Sequence, residues 1–204
     1  MKKIILLILT LTTCSLVYGH GSKSSSLFLA ESFPGVWNIQ VGASSAAFQY
    51  EYIALNNKQS LVQMDPEDFK NWVVKHLKKT IILKVNNKVM AWGNAVVKLG
   101  HQTSVKILVE NMPADVENIL VINKAFINGV KNHKSNLKIV REGKYSDKFI
   151  LESSNQYSVD LINKWGIFKL KGTQVVRDYL YYSMFAIISI IVLMFFLFFK
   201  KKKH

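Results

Sequence analysis

Apolar and polar residues alternate along much of the middle of this chain. In residues 37–41 and 48–52 every second side chain is apolar or aromatic, which is typical of half-buried strands. The run 27–29 predicts a further strand, which ends before a Pro34-Gly35 turn. Later short apolar runs, separated by Gly and Asn turn signals such as Gly93-Asn94, occur at 81–85, 89–92, 95–99, 105–109, 119–122, 137–140, 149–151 and 157–161. The pattern therefore predicts many short strands.

One segment departs from this pattern and predicts an amphipathic helix over about residues 66–79. Asp65 is a good helix cap, Pro66 suits the first turn, and the acidic residues that follow favour the positive end of the helix dipole. The apolar residues recur at spacings of three and four, at Phe69, Trp72, Val73 and Leu77. Many strands with one helix predict a mostly β fold, a β-sandwich-like ectodomain with a helical crossover.

The N-terminal segment has the features of a secretory signal peptide. Lys2 and Lys3 precede an apolar run at 4–11, and Val17-Tyr18-Gly19 places small or short residues where a signal peptidase reads them. Cleavage after residue 19 makes His20 the first residue of the mature protein. A second route stays open, since residues 11–14 resemble a lipobox and would make Cys14 a lipidated first residue.

The C-terminal segment predicts a membrane anchor. Residues 179–199 contain no charge over 21 positions, which is long enough for a helix to cross a bilayer, and four lysines follow at once. Lysines beside a span favour a cytoplasmic C-terminus. The predicted organisation is thus a signal peptide (1–19), an extracytoplasmic β-rich domain (20–163), a juxtamembrane stalk (164–178), a transmembrane helix (179–199) and a cytoplasmic basic tail (200–204).

Aromatic residues in the predicted stalk and the net positive charge of the ectodomain indicate which surfaces the protein contacts. Trp165 and Phe168 are expected to dip into the membrane interface from the stalk. Of the 27 basic residues, six lie in the leader and tail, which leaves 21 against 13 acidic residues and a net charge of +8. The lysines are scattered and only two arginines occur, so we expect a solvated basic face and no nucleic-acid binding.

Cysteine usage and missing motifs narrow the class of protein. Cys14 is the only cysteine and lies in the leader, so no disulfide forms in the mature domain. A small secreted domain without disulfides is typical of a bacterial envelope protein. The chain has no Gly-x-Ser-x-Gly, no His-Glu-x-x-His and no phosphate-binding glycine loop, and we therefore expect no enzyme.

Four histidines of the predicted ectodomain are the candidates for chemistry. His76 lies on the apolar face of the helix and is expected to bond backbone, while His133 lies in a polar loop and is expected to be solvated. An N-terminal His20 offers its amine and imidazole, and His101, at a strand turn, offers a third nitrogen that suits Cu(II). Glu51 or Glu31 could add a carboxylate, and Glu51 is our candidate third side chain. The alternative is that His20 is a free terminus and His101 an ordinary turn residue.

Several segments resemble a little-characterised family of bacterial envelope proteins that have a signal peptide and one C-terminal helix. The matching stretches are 20–25, 37–41, 47–51, 67–69, 97–103 and 123–126. The predicted N-terminal histidine together with His101 is also similar to periplasmic copper-resistance proteins, which implies a β-sandwich that binds copper. We expect a membrane-anchored binding or interaction module with an envelope protein as partner. The alternative is a copper-binding or copper-handling envelope protein.

Overall fold

A computed structural model describes residues 23–171 of the chain. The predicted signal peptide, His20, the transmembrane helix and the basic tail lie outside the described residues. No helix within residues 23–171 has both the length and the apolar character needed to cross a membrane.

Strands dominate the described residues, as the alternating pattern predicts. The strands are β1 (Ser24–Phe33), β2 (Val36–Ser44), β3 (Ile81–Val85), β4 (Lys88–Val89), β5 (Ala91–Lys98), β6 (Gln102–Glu110), β7 (Asn118–Asn123), β8 (Lys134–Arg141), β9 (Lys144–Tyr145), β10 (Phe149–Leu151), β11 (Ser158–Lys164) and β12 (Ile167–Leu170). The helices are α1 (Ser45–Leu55), α2 (Lys58–Val62) and α3 (Pro66–Thr80), with a short 3₁₀ turn at Ser153–Asn155.

The strands form two sheets. The larger has the order β10-β8-β1-β2-β6-β5 with β9 added beside β8, and the smaller has the order β12-β11-β7-β3-β4. All pairs are antiparallel except β1 and β8, which run parallel. The buried side chains of both sheets and of α1 and α3 belong to one hydrophobic core. The prediction of a mostly β fold is confirmed, with two sheets and few helices.

The two ends of the larger sheet differ in what they carry. At one end β1 and β6 begin and β2 ends, at Ser24, Gln102 and Ser44, and we call this the histidine end because His101 precedes β6. The opposite end carries the turns 33–36 and 141–144. The turn 164–167 lies at the same end, because Arg141 lines one cavity with residues 165–166. We call this opposite end of the sheet the hairpin end.

The predicted helix over about residues 66–79 is confirmed as α3. The Asp65 side chain accepts the backbone N–H of Glu67 at 2.7 Å, and Pro66 opens the helix. Its buried residues are Phe69, Val73, His76 and Leu77. The cap and the apolar stripe are both local, so the sequence alone locates this helix.

The strand predicted over residues 48–52 is wrong, because these residues belong to α1. Ser44 caps the helix by accepting the backbone N–H of Ala47 at 3.2 Å. Phe48 and Tyr52 are both buried, while Tyr50 is half exposed. Positions four apart share a face in a helix as well as in a strand, so the aromatic alternation fits both structures. The break predicted at Gly93-Asn94 is likewise a bulge within the continuous strand β5.

The stalk predicted from residue 164 is also corrected over its first part. Lys164 ends β11, and β12 pairs with β11 along the edge of the smaller sheet. Phe168 is only 1% exposed and packs in the core, so it does not reach a membrane interface. The folded domain therefore continues past the predicted boundary at residue 163, at least to Lys171.

Candidate functional site

The N-terminus of α1 lies against the turn that joins β5 to β6. The backbone N–H of Ser45 donates to the carbonyl of His101 at 3.1 Å. The Ser45 hydroxyl also contacts the carbonyl of Gly100 and lies 2.9 Å from the Thr103 hydroxyl. These bonds hold the turn 99–101 in one place beside the helix.

A groove of about 460 Å³ opens at this junction, at the histidine end. Its lining comes from three separate segments and consists of Ser45, Gln49, Leu61, Met64, Pro66, Phe69, Leu99, Gly100 and His101. Leu61, Met64 and Leu99 are partly buried against the core, so they form a stable apolar wall. The polar side chains of Ser45, Gln49 and His101 accompany this wall. An apolar wall with a few polar groups is the usual composition of a binding site.

His101 lies where the sequence analysis expects it, at a strand turn. Its side chain is exposed and lines the groove. The polar and apolar groups beside it are Gln49 and Leu99, and the groove lining contains no acidic residue. Within the described residues, no three His, Cys, Asp or Glu side chains are grouped so that they could hold a metal ion. His20, the predicted partner of His101 in the metal site, lies outside the described residues.

The structure places Glu51 in a different environment from His101. Glu51 is 0% exposed, although it is a charged residue. The side-chain amide of Asn128 donates to Oε1 at 2.6 Å, and the backbone N–H groups of Asn128 and Gly129 donate to Oε2 at 3.1 and 2.7 Å. Hydrogen bonds of this kind are what make a buried carboxylate tolerable. Glu51 therefore holds the loop 125–130 onto α1, and its oxygens face that loop.

The prediction that His76 is a core residue bonded to backbone is confirmed. Its Nε2 atom lies 2.8 Å from the carbonyl oxygen of Ala125, and its ring stacks on Trp72 at a centroid distance of 4.8 Å. The same nitrogen is 3.8 Å from Glu51 Oε1. His76 and Glu51 thus both hold the loop that follows β7.

The prediction that His133 is solvated is wrong. His133 is buried, with its Nε2 atom 2.9 Å from the Ser25 hydroxyl and its ring 4.7 Å from that of Phe126. The Ser25 hydroxyl also lies 2.8 Å from that of Ser135, which in turn accepts the side-chain amide of Asn123 at 2.9 Å. Serine beside histidine is a geometry used in nucleophilic catalysis, but here both side chains are buried and Ser25 also bonds Ser135. The network joins β1 to β8.

Most residues that line the groove have no functional signal in the sequence. Among the lining residues only His101 is a candidate from the sequence, and Leu61, Met64 and Leu99 are apolar residues that carry no chemical motif. A half-buried apolar side chain has no sequence signature that separates it from a core residue. The sequence signal is weak: Leu61, Val62 and Met64 are the apolar residues of a polar stretch between two helix caps, Asn57 and Asp65.

Comparisons with known proteins do not assign this site. No protein family matches the chain, and no curated protein is significantly similar to it.

Proposed function

We propose that the protein is a membrane-anchored extracytoplasmic binding module whose groove receives an apolar side chain from another envelope protein. The groove between α1, residues 61–69 and the turn 99–101 carries the proposal. Its apolar wall suits one aliphatic or aromatic side chain, and the polar groups of Ser45, Gln49 and His101 suit the backbone of an extended segment. A protein segment offers both features together.

The proposed membrane topology of the module rests on the sequence. The proposed fold is a β-sandwich, supported by two sheets whose buried faces share one core. A cleaved signal peptide (1–19) and a span (179–199) would place this domain outside the bacterial cytoplasmic membrane, with the lysine tail in the cytoplasm. The resemblance to envelope proteins with one C-terminal helix supports the same localisation. No catalytic step is part of the proposal.

Site-specific photo-crosslinking in the native membrane tests the groove. A photoreactive amino acid replaces Leu61, which lines the groove, or Val62, which is its exposed neighbour in α2. We expect an adduct with one defined envelope protein from position 61 and none from position 62. A Leu99→Lys change in the same apolar wall should abolish that adduct. Equal adducts from both positions, or an adduct that survives Leu99→Lys, would contradict the proposal.

Copper binding by His20 and His101 is the second candidate function, and the register of the larger sheet favours it. Ser25, Ala43 and Thr103 lie opposite one another across β1, β2 and β6, and β1 and β6 run in the same direction. Two strand spacings separate β1 from β6, roughly 10 Å. His20 precedes Lys23 by three residues, a reach of about 10 Å. The N-terminal arm is thus long enough to approach His101.

The copper proposal uses the N-terminal amine, the His20 imidazole and the His101 imidazole, and it omits Glu51, whose oxygens already accept three hydrogen bonds. Mass spectrometry of the processed chain first establishes whether it begins at His20. Cu(II) titration then compares that chain with one that carries an extra N-terminal residue and with a His101→Asn variant. Binding that is weakened by both changes supports the site, and binding that neither change alters rejects it.

A further inference from the structure

Three turns at the hairpin end each present one exposed aromatic side chain. Phe33, at the β1–β2 turn, is 71% exposed; Tyr145, in β9, is 68% exposed; and Trp165, at the β11–β12 turn, is 95% exposed. Burial of a large aromatic side chain is favourable, and several such side chains exposed close together therefore indicate a contact surface. We call these three residues the aromatic rim.

The turns that carry the aromatic rim are neighbours in the structure. Phe33 and Pro34 line one cleft together with Glu142 and Gly143, so the β1–β2 turn lies beside the β8–β9 turn. A Cβ atom on Gly166 would lie 3.2 Å from the Lys144 ammonium, so the β11–β12 turn lies beside β9. The three aromatic side chains therefore belong to one continuous end of the domain.

The conformation of Trp165 is unusual for so exposed a residue. Its φ angle is +54°, and Gly166 follows with φ +82° in a two-residue turn. The side chain of Asn163 accepts the backbone N–H of Gly166 at 2.9 Å and supports the turn. A left-handed conformation is unfavourable for tryptophan, and within the described residues its side chain gains almost no burial in return. The turn holds the indole ring outward.

We infer that the aromatic rim rests in the headgroup region of the bilayer that carries the C-terminal span. Trp and Tyr side chains are enriched at that depth, because each has an apolar body and a polar atom. The inference rests on the proposed membrane anchoring and adds to it an orientation of the domain. The hairpin end then faces the membrane, and the groove at the histidine end faces away from it, toward a partner.

The length of chain after β12 permits this orientation. Leu170 ends β12 and pairs with Leu161 in β11. It lies five residues after Trp165 at the tip, a distance of roughly 16 Å along β12. Eight residues lead from Lys171 to Tyr179, where the predicted span begins. They reach at most about 28 Å when extended. The tether is therefore longer than the distance back to the tip, and the hairpin end can meet the bilayer surface.

The charges near the rim indicate what kind of surface it contacts. The cations at this end are Lys144 and Lys164, which flank the β11–β12 turn, and Arg141, which lines the cavity beside Trp165. The anions in the neighbouring loops are Asp115, Glu117 and Glu142. Because both signs are present, attraction to anionic lipids contributes little, and the contact depends on the aromatic side chains. The two lysines have stems long enough to keep their charges in the water-exposed headgroups. We expect binding to neutral phosphatidylcholine as well as to anionic bilayers.

Fluorescence quenching by brominated lipid tests the orientation in the full chain. All four tryptophans of the chain lie within residues 23–171, and of these Trp37 is buried while Trp72 and Trp92 are partly buried. The full chain is reconstituted into phosphatidylcholine vesicles whose acyl chains carry bromine. We expect quenching relative to unbrominated vesicles, most of which is lost in Trp165→Ala. The control variant Trp72→Phe, near the groove, should retain it.

The outcomes separate this inference from the proposed anchoring. A chain that floats with the vesicles but shows the same quenching with and without Trp165 keeps its anchor and overturns the aromatic rim. A disulfide crosslink between copies through Trp165→Cys, with no quenching of the wild-type chain, would overturn it in favour of self-association. A chain that does not float with the vesicles contradicts the anchoring and the inference together. Substitution of both Phe33 and Tyr145 by Ser, in a chain that retains Trp165, should weaken the quenching of Trp165 by brominated lipid.

Discussion

The backbone N–H of Gly129 donates to the carboxylate of Glu51 at 2.7 Å, and the same glycine passes against the helix that carries Glu51. A Cβ atom at position 129 would overlap the backbone atoms of Tyr50 and Glu51. The buried carboxylate of Glu51 and the absence of a side chain at Gly129 thus both stabilise one contact. The loop must approach α1 closely for its N–H groups to reach the carboxylate, and only glycine permits that approach. This contact holds α1 in place, and the N-terminal half of α1 lines the groove.

The carboxylate should be needed for stability. In Glu51→Gln one carboxylate oxygen becomes an NH2 group, which faces either the side-chain amide of Asn128 or the backbone N–H groups of Asn128 and Gly129. In either orientation an N–H donor meets a donor in place of an acceptor. We expect a loss of about 1–3 kcal/mol in the free energy of unfolding, measured by urea denaturation. Glu67→Gln is the control, because Glu67 is exposed and pairs with Lys70 at the surface, and its loss should change stability by less than about 1 kcal/mol. Equal effects from the two changes would contradict this role.

Gly129 should not tolerate a methyl group. Gly129→Ala places a side chain against backbone atoms that have no freedom to move aside, and overpacking of this kind costs about 1–3 kcal/mol or more. Gly100→Ala is the matched control, since its nearest neighbour would lie at an ordinary contact distance of 3.5 Å. Thermal denaturation should show a clear loss for the first variant and little change for the second. A stable Gly129→Ala variant would show that the loop relaxes.

The cap of α1 should contribute to stability although the sequence pattern there is that of a strand. Ser44→Ala removes the oxygen that accepts the Ala47 backbone N–H. We expect a loss of about 1 kcal/mol. Ser44→Asp keeps an acceptor and should retain most of the stability. If both variants unfold at the same urea concentration as the wild-type chain, the cap does not stabilise α1.

Phe168 should behave as a core residue and Trp165 as a surface residue. Phe168→Ala removes a ring that is 1% exposed and should cost about 3–5 kcal/mol. Trp165→Ala, three residues away, should leave stability within about 0.5 kcal/mol of the wild type. Denaturant titration of the two variants separates a folded hairpin from a stalk, since both changes would be neutral in a stalk.

Glu152 provides a pH-dependent contact at the histidine end. The Lys134 ammonium, 2.7 Å away, and the Ser154 hydroxyl lower the pKa of Glu152 below its ordinary value. A carboxyl with a lowered pKa stabilises the fold above its unfolded pKa, and this stabilisation is lost as the pH falls through the folded pKa. We expect Lys134→Gln to raise the pKa of Glu152, as followed by NMR titration of its carboxyl carbon. The stability difference between the two proteins should vanish in acid. An unchanged pKa would contradict the pairing.

The sequence by itself determines the elements whose signals are local. The cap, the proline and the stripe at spacings of three and four locate α3, and the short apolar runs locate most of the strands. The burial of His76 follows from its place on the apolar face of α3. His101 at a turn follows from the glycine before it and the strand after it.

Tertiary structure decides the features that depend on residues far apart in the chain. The parallel pairing of β1 with β8 joins segments separated by about 110 positions, and it buries His133 against Ser25. The helical state of residues 48–52 depends on a core that accepts Phe48 and Tyr52 on one side, which alternation alone does not separate from a strand. The groove exists only where three segments meet, and the aromatic rim only where three turns meet. Each of these features depends on packing between segments that are distant in the chain, and the local pattern of neighbouring residues does not determine that packing.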